Sequence, residues 1–387
     1  MTIRNKKRFS ICTISIMILL LLFGSIFQNI TAVKGNNDVL ASAKAMAVVE
    51  ANTNTILYSH NKDLRLPMAS LTKIITAIVV IENSDNLDEL VDIADESVGI
   101  EGTSIYLTKG EEMTIRELLL GLMLASGNDS AMALAYHIAG SEESFVGLMN
   151  DFVQRIGAEN THVVNPHGLD ADDHFTTALD LAIITSYALK NDDFREIVST
   201  KRATIRGNDK VEARYLKHKN KLLFSDENCI GVKTGFTDNA GRCLVHATKQ
   251  DNGMEIVTVL LNCGPMFEEA DRLNNLAVSN YDYVEFVKPY NFVGTVNINN
   301  GSSNTTNVAT IKGFSTIIRK VDHEKYKVVY DIPESIEAPI KNGEKIGCVS
   351  VIFEENVIFE AELVSIDSVD NIDLKYMLDN ILNKWYA

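Results

Sequence analysis

The chain has 387 residues, 46% of them hydrophobic, and a formal net charge of −16 at pH 7. That apolar content is enough to bury a core, so an intrinsically disordered chain is excluded, and the length allows two domains and a tail. The acidic balance argues against nucleic acid as a partner, because phosphate binding needs clustered Lys and Arg; it serves solubility instead.

Taken in chain order, the N-terminus reads as an export signal. Arg4, Lys6, Lys7 and Arg8 form a basic start, and no acid occurs before Asp38. Residues 9–27 carry no charge and contain the run Ile16-Met-Ile-Leu-Leu-Leu-Leu-Phe23. Ile30-Thr-Ala32 supplies a cleavage site with a small last residue, which predicts a signal peptide over residues 1–32. An uncharged stretch of 19 residues also fits an uncleaved membrane anchor.

Ala45-Met-Ala-Val-Val-Glu50 and Ile56-Leu-Tyr-Ser59, joined by Asn-Thr-Asn-Thr, predict a β-hairpin. The segment from Ser70 to Ile81 is apolar on nearly every face, which predicts a helix buried in the core. Residues 115–190 read as helices, broken at Ser126-Gly-Asn-Asp129 and by the loop Asn165-Pro-His-Gly168. Residues 230–234, 241–248 and 254–262 are β-branched runs that form an antiparallel meander. With the hairpin they make a five-stranded sheet, covered by a helix over about 268–284. The fold class is therefore α+β, with both ends of one domain in a single sheet and a helical insertion between them.

Beyond Pro289 the composition shifts to strand-like runs at 292–298, 315–321, 326–332, 346–353 and 357–365, around a loop at 299–306. The expected organisation is a first domain over 38–286, a small all-β domain over 288–366, and a tail helix over 369–387. In the tail, Leu374, Met377, Leu378, Ile381 and Trp385 recur at helical spacing. That face fits a membrane-surface anchor; a helix docked on its own β-domain fits it too, since the polar side is not basic. The five cysteines, Cys12, Cys229, Cys243, Cys263 and Cys348, have no metal-like spacing and read as free thiols, Cys12 leaving with the signal.

The chemistry lies in three strings: Ser70-Leu-Thr-Lys73, Ser126-Gly-Asn128 and Lys233-Thr-Gly235. Ser70 and Lys73 share a helical face. Within an apolar helix, desolvation disfavours the ammonium, and a neutral amine can take the hydroxyl proton. The helix start offers free N–H groups for developing negative charge. Ser126 could relay a proton to a leaving amine, and Asn128 could hold a substrate carbonyl. Lys233 and Thr234, at a strand end, could bind a carboxylate, and Gly235 leaves room for a substrate backbone. Each string alone is weak; Ser-x-x-Lys by itself is a common tetrapeptide.

The order and spacing of the strings resemble the serine D-alanyl-D-alanine carboxypeptidases, the low-molecular-mass penicillin-binding proteins. Pro67-Met-Ala-Ser-Leu-Thr-Lys-Ile-Ile-Thr76, Leu118-Leu-Leu-Gly-Leu-Met-Leu-Ala-Ser-Gly-Asn-Asp129, and Gly231-Val-Lys-Thr-Gly-Phe-Thr237 with Ala240-Gly-Arg242 are similar to the family's three motif segments. Asn165-Pro-His-Gly-Leu169, with His174-Phe-Thr-Thr-Ala-Leu-Asp180, resembles a segment typical of this subfamily. Ala338-Pro-Ile-Lys-Asn-Gly-Glu-Lys-Ile-Gly347 resembles its C-terminal β-domain, so the likeness spans about residues 42–365.

The resemblance implies that Ser70 attacks the bond between two terminal D-alanines of a peptidoglycan stem peptide, with Lys73 as base. It implies an oxyanion hole from the N–H groups of Ser70 and Phe236, and slow release of a penicillin bound to the same serine. No cofactor or metal is expected.

Three other readings compete with this one. A class A β-lactamase also needs a glutamate to activate the deacylating water, and no glutamate lies between Glu159 and Glu196. A zinc peptidase could draw on His162, His167, His174, Asp170, Asp172 and Asp173, but no His-Glu-x-x-His helix is present. A protein that only binds the cell wall would have no need for Ser70 and Lys73 together.

Overall fold

The computed structural model describes residues 39–208, 210–374, 376–378 and 385. The signal-peptide expectation, residues 1–32, lies outside them, as do residues 375, 379–384, 386 and 387 of the tail. The chain divides into two compact units, with the break between Ser279 and Asn280.

In the first unit, β1 (Ala43–Glu50) and β2 (Thr55–His60) form the expected hairpin. The chain then enters a largely helical insertion. It contains α1 (Thr72–Glu82), a short hairpin of β3 (Leu90–Asp92) and β4 (Glu112–Thr114), and α2 (Ile115–Leu120). Next come α3 (Asn128–Ala139), α4 (Glu142–Arg155), α5 (Ala178–Ala188) and α6 (Asp192–Ser199). A second hairpin, β5 (Arg202–Asn208) and β6 (Val211–Lys217), leads through α7 (Leu222–Ser225) to β7 (Cys229–Thr237), β8 (Gly241–Lys249) and β9 (Glu255–Cys263). The main sheet runs β2-β1-β9-β8-β7, all antiparallel, so the first strands and the last strands of the unit close one sheet as expected.

Alternation decides what the sheet buries on each side. Ala45, Ala47 and Val49 of β1 join Val257, Val259 and Leu261 of β9 and Val245 of β8 in the main core. Ile74, Ile75 and Ile78 of α1 lie in the same core. Every residue of α1 from Thr72 to Ile81 is buried, which is why its sequence shows no polar face. On the opposite face, Thr248 Oγ1 donates to Asn274 Oδ1 at 2.7 Å and ties α8 (Met266–Asn280) to the sheet.

Helix starts follow local chemistry. Thr114 and Glu117 form a reciprocal capping box at α2, and Ser141, Thr177 and Asn191 cap α4, α5 and α6.

Two expectations about elements change. The helix expected to reach residue 284 ends at Asn280, because Tyr281–Val287 (β10), rich in aromatic and β-branched residues, pairs with Phe314–Arg319 (β13) in the second unit. The hairpin of β5 and β6 was not expected, since its inward positions include a charged residue, Arg214.

The second unit is all-β, as expected. Besides β10 and β13 it holds β11 (Phe292–Asn299), β12 (Thr305–Thr310), β14 (Tyr326–Asp331), β15 (Ser335–Glu337), β16 (Lys345–Phe353) and β17 (Asn356–Ser365). Six of them form one sheet in the order β14-β16-β17-β12-β11-β15. Phe286, Phe314, Tyr326, Phe353 and Phe359 make successive ring contacts 4.6–6.4 Å apart. Val369 pairs with Ile340 and is buried in this unit. Leu374, Met377, Leu378 and Trp385 are exposed. Among the described residues, no helix is long and apolar enough to cross a membrane.

Candidate active site

Residues from four distant parts of the first unit meet beside the start of α1. Ser70 sits in a 3-10 turn, Ala69–Leu71, which runs into that helix. Lys73, one turn on, is fully buried; its Nζ lies 3.1 Å from Ser70 Oγ, 2.6 Å from Asn128 Oδ1 and 2.6 Å from the His167 carbonyl oxygen. Burial first, and then the charges of Lys233 and Lys219, hold its amine well below the ordinary lysine range, with Asp129 pulling the other way.

The second string is set by an unusual helix break. Gly121–Ala125 is a widened π turn, and Ser126 follows in the left-handed region at φ 69°. Such a conformation is costly for a serine and needs outside support. Three residues on, the Asp129 carboxylate accepts the N–H groups of Ile105, Leu107 and Ser130 and the Ser104 hydroxyl, tying the start of α3 to that loop. Asn128 is held at both ends of its amide. Oδ1 accepts from Lys73 and Nδ2 donates to the Glu101 carbonyl at 2.6 Å.

The third string lies on β7. Lys233 is buried, donates to the Thr234 carbonyl at 3.0 Å, and is lowered to about 7 by burial and then by Lys219. Gly235 lies against the nucleophile turn, where a Cβ would stand 3.1 Å from the Met68 carbonyl and 3.2 Å from the Ser70 nitrogen. Phe236, next along the strand, is 62% exposed. The sequence reading placed Gly235 beside a substrate; the structure places it against Ser70.

Of the residues predicted from sequence, Ser70, Lys73, Asn128, Lys233 and Gly235 come together, while Ser126 and Thr234 are placed only as chain neighbours of Asn128 and Lys233. Ser70, Lys73 and Asn128 are joined directly, Gly235 abuts Ser70, and Lys233 acts on Lys73 through its charge. Several neighbours were not singled out as site residues. Lys219, whose Nζ is 3.5 Å from Thr103 Oγ1, influences both buried lysines, so three amines gather at one place that suits an anion. Its own amine is lowered by burial. A lysine in the connection from β6 to α7 carries no motif, so only proximity reveals it.

The loop Asn165-Pro-His-Gly168 supplies the His167 carbonyl to Lys73 and the Pro166 carbonyl to Thr76 Oγ1 at 2.6 Å. His167 is lowered to about 3, by burial and then by Lys73, and stays neutral. Three buried thiols of the first unit are poor nucleophiles: burial pushes Cys229 up to about 12, and Cys243 and Cys263 to about 11.

Comparison with known proteins agrees with this geometry. The family profile described as D-alanyl-D-alanine carboxypeptidase matches residues 32–264, and the profile of the penicillin-binding protein 5 C-terminal domain matches residues 281–371. The chain is 29% identical over 359 residues to the D-alanyl-D-alanine carboxypeptidase DacF of Bacillus subtilis, covering 91% of this chain and 92% of that one. It is 38% identical over 234 residues to a D-alanyl-D-alanine carboxypeptidase of a Streptomyces species, covering 57% of this chain and 80% of that one. The crystal structure of penicillin-binding protein 5 from Haemophilus influenzae superposes with a TM-score of 0.67 at 25% identity, covering 86% of this chain and 99% of that one. The chain belongs to the serine D-alanyl-D-alanine carboxypeptidases, the low-molecular-mass penicillin-binding proteins.

Proposed function

We propose that Ser70 is the nucleophile, and Lys73 its base, in a carboxypeptidase that removes the terminal D-alanine from peptidoglycan stem pentapeptides. The observation that carries this reading is the surroundings of Lys73 Nζ. A neutral amine has two N–H groups and one lone pair. The two shortest contacts, 2.6 Å each, take the N–H groups to the Asn128 and His167 oxygens. The lone pair is left for the Ser70 hydroxyl at 3.1 Å.

As Ser70 Oγ attacks the carbonyl between the two D-alanines, its proton passes to Lys73. The N–H groups of Ser70 and Phe236 receive the oxyanion. Ser126 relays that proton from Lys73 to the departing amine, and D-alanine leaves with Lys73 neutral again. Water then attacks the ester, giving its proton to Lys73, which passes it to Ser70 Oγ as the acyl bond breaks, and the enzyme is restored. Lys233 and Thr234 bind the terminal carboxylate, with Lys219 adding positive charge. Asn128 keeps Lys73 in place and borders the substrate amide, and Gly235 lets strand and nucleophile turn approach.

A β-lactam acylates the same serine and, with no glutamate to activate water, leaves slowly. The N-terminal segment exports the enzyme to the outer side of the cytoplasmic membrane. The amphipathic spacing of residues 369–387 supports a tail resting on that membrane's surface.

Intact-mass spectrometry after incubation with benzylpenicillin tests the reading, with Ser70→Ala as control. The wild type should carry one stable adduct and release D-alanine from a pentapeptide. D-Alanine release by Ser70→Ala would overturn the mechanism.

A further inference from the structure

The peptide unit between Ala69 and Ser70 carries two groups with different fates. Its N–H is the oxyanion donor assigned above. Its carbonyl is gripped by a buried chain of hydrogen bonds. Thr72 Oγ1 donates to the Ala69 carbonyl oxygen at 2.9 Å. The same hydroxyl lies 2.8 Å from His174 Nε2. The other ring nitrogen, Nδ1, accepts the Val164 N–H at 3.1 Å.

These contacts settle the direction of each proton. A ring nitrogen that accepts an amide N–H bears no proton, so the neutral ring carries its proton on Nε2 and donates it to Thr72. The ring is neutral because burial, and then His162, lower it to about 4. A hydroxyl has one proton. With its oxygen accepting from His174, that proton is directed to Ala69. Thr72, His174 and Ala69 are all buried, so water does not compete.

The grip matters because of where the peptide sits. Ala69 has φ 49°, in the left-handed region that an alanine rarely adopts. Without an outside hold this turn would relax toward ordinary geometry. A trans peptide is planar, and its C=O and N–H point in opposite directions. Fixing the Ala69 oxygen therefore aims the Ser70 N–H. Gly168, at φ 87°, is pressed against the same carbonyl: a Cβ there would stand 2.0 Å from the Ala69 oxygen.

We propose that His174 is a positioning residue for acylation: acting through Thr72, it sets the plane of the Ala69–Ser70 peptide and so aims the Ser70 N–H at the oxyanion. This rests on Ser70 being the nucleophile with its own N–H in the oxyanion hole.

The test measures the rate of benzylpenicillin acylation, and kcat and KM for pentapeptide hydrolysis, in folded variants checked by circular dichroism and thermal unfolding. Thr72→Val and His174→Leu remove links of the relay. Thr72→Ser and His174→Gln keep a hydroxyl and an N–H donor. Each removal should slow acylation about 10- to 1000-fold, bounded by the loss of one oxyanion donor. It should lower kcat far more than it raises KM. Thr72→Ser and His174→Gln should each recover most of the rate lost in the corresponding removal. The double variant Thr72→Val/His174→Leu should be no slower than Thr72→Val, since both cut the same chain. A folded His174→Leu that acylates at the wild-type rate would overturn the proposal, as would full additivity in the double variant. Should His174→Leu not fold, the Thr72 pair and His174→Gln decide: equal rates in Thr72→Val and Thr72→Ser would overturn it. A wild type that forms no adduct on Ser70 removes the nucleophile reading and this one with it. A normal wild-type adduct with indifferent relay variants removes this one alone.

Discussion

Gly235 lies so close to Ser70 that a Cβ on the glycine would stand 3.2 Å from the serine nitrogen. It would also meet the Met68 carbonyl oxygen at 3.1 Å and the Ala69 Cβ at 3.2 Å. Those contacts are tight rather than impossible, so the turn would have to yield by a few tenths of an ångström. Gly235→Ala should leave the fold intact and slow penicillin acylation by about 10- to 100-fold, the usual cost of misplacing reacting groups. A stopped-flow acylation rate beside an unchanged melting curve checks it.

Lys73 acts through its lone pair, because only an amine can offer one to Ser70 while donating to two carbonyl oxygens. An arginine in its place would stay protonated and could not act as base. Lys73→Arg and Lys73→Met should both lower acylation by about 100- to 10,000-fold, the range of general-base contributions. If Lys73→Arg retained most of the activity, Lys73 would be an electrostatic residue and not a base.

The pH dependence follows from the two buried lysines. Lys233 is an ammonium below about 7 and loses its charge above it. Affinity of the free enzyme for a substrate carboxylate should therefore decline as pH rises through about 7. Lys73, also lowered, must be neutral to act, so the rate should fall on the acid side, where it takes up a proton. The expected kcat/KM profile is a bell whose alkaline limb flattens in a Lys233→Met variant. An alkaline limb unchanged by that substitution would assign it to another group.

Arg214 meets Glu111 with two hydrogen bonds, 2.6 and 2.9 Å, both residues being buried. Its remaining N–H groups go to the carbonyls of Ile105, Arg206 and Tyr106, so all five donors are used. This joins the β5–β6 hairpin to the loop whose Glu101 carbonyl holds Asn128. Burial alone would raise the Glu111 carboxyl, but its bonds to Arg214 and Thr108 hold it below the usual value. Glu111→Ala leaves a buried guanidinium without its anion and should destabilise the enzyme by about 3–5 kcal/mol. Urea unfolding measures it, and a change below 1 kcal/mol would show the pair to be solvated.

Much of the framework was legible because it is local. The short apolar and β-branched runs at 45–50, 230–234, 241–248 and 254–262 became strands of one sheet, and the all-round apolar stretch after Ser70 became a buried helix. The hairpin of Arg202–Asn208 and Val211–Lys217 escaped because one inward position is a charged residue whose partners lie about a hundred residues away. Helix α8 ends four residues earlier than expected, since a helix and the aromatic-rich strand after it look alike until Tyr281–Val287 finds its partner, Phe314–Arg319. The left-handed Ser126 was visible only as a break, because serine rarely adopts that conformation and its residue type does not announce it.

The sequence by itself determined which residue types this enzyme has for acyl transfer, because a hydroxyl and an amine three residues apart must share a helical face. It also carried the family, through the order of three short strings. Only the tertiary structure decided the states of those groups. Burial and neighbouring charges lower the proton affinity of Lys73, Lys219 and Lys233 act on it through space, and a histidine a hundred residues from Ser70 reaches the peptide behind it through Thr72. Proton affinity and peptide orientation depend on what surrounds a group in space, and chain neighbours supply little of that surrounding.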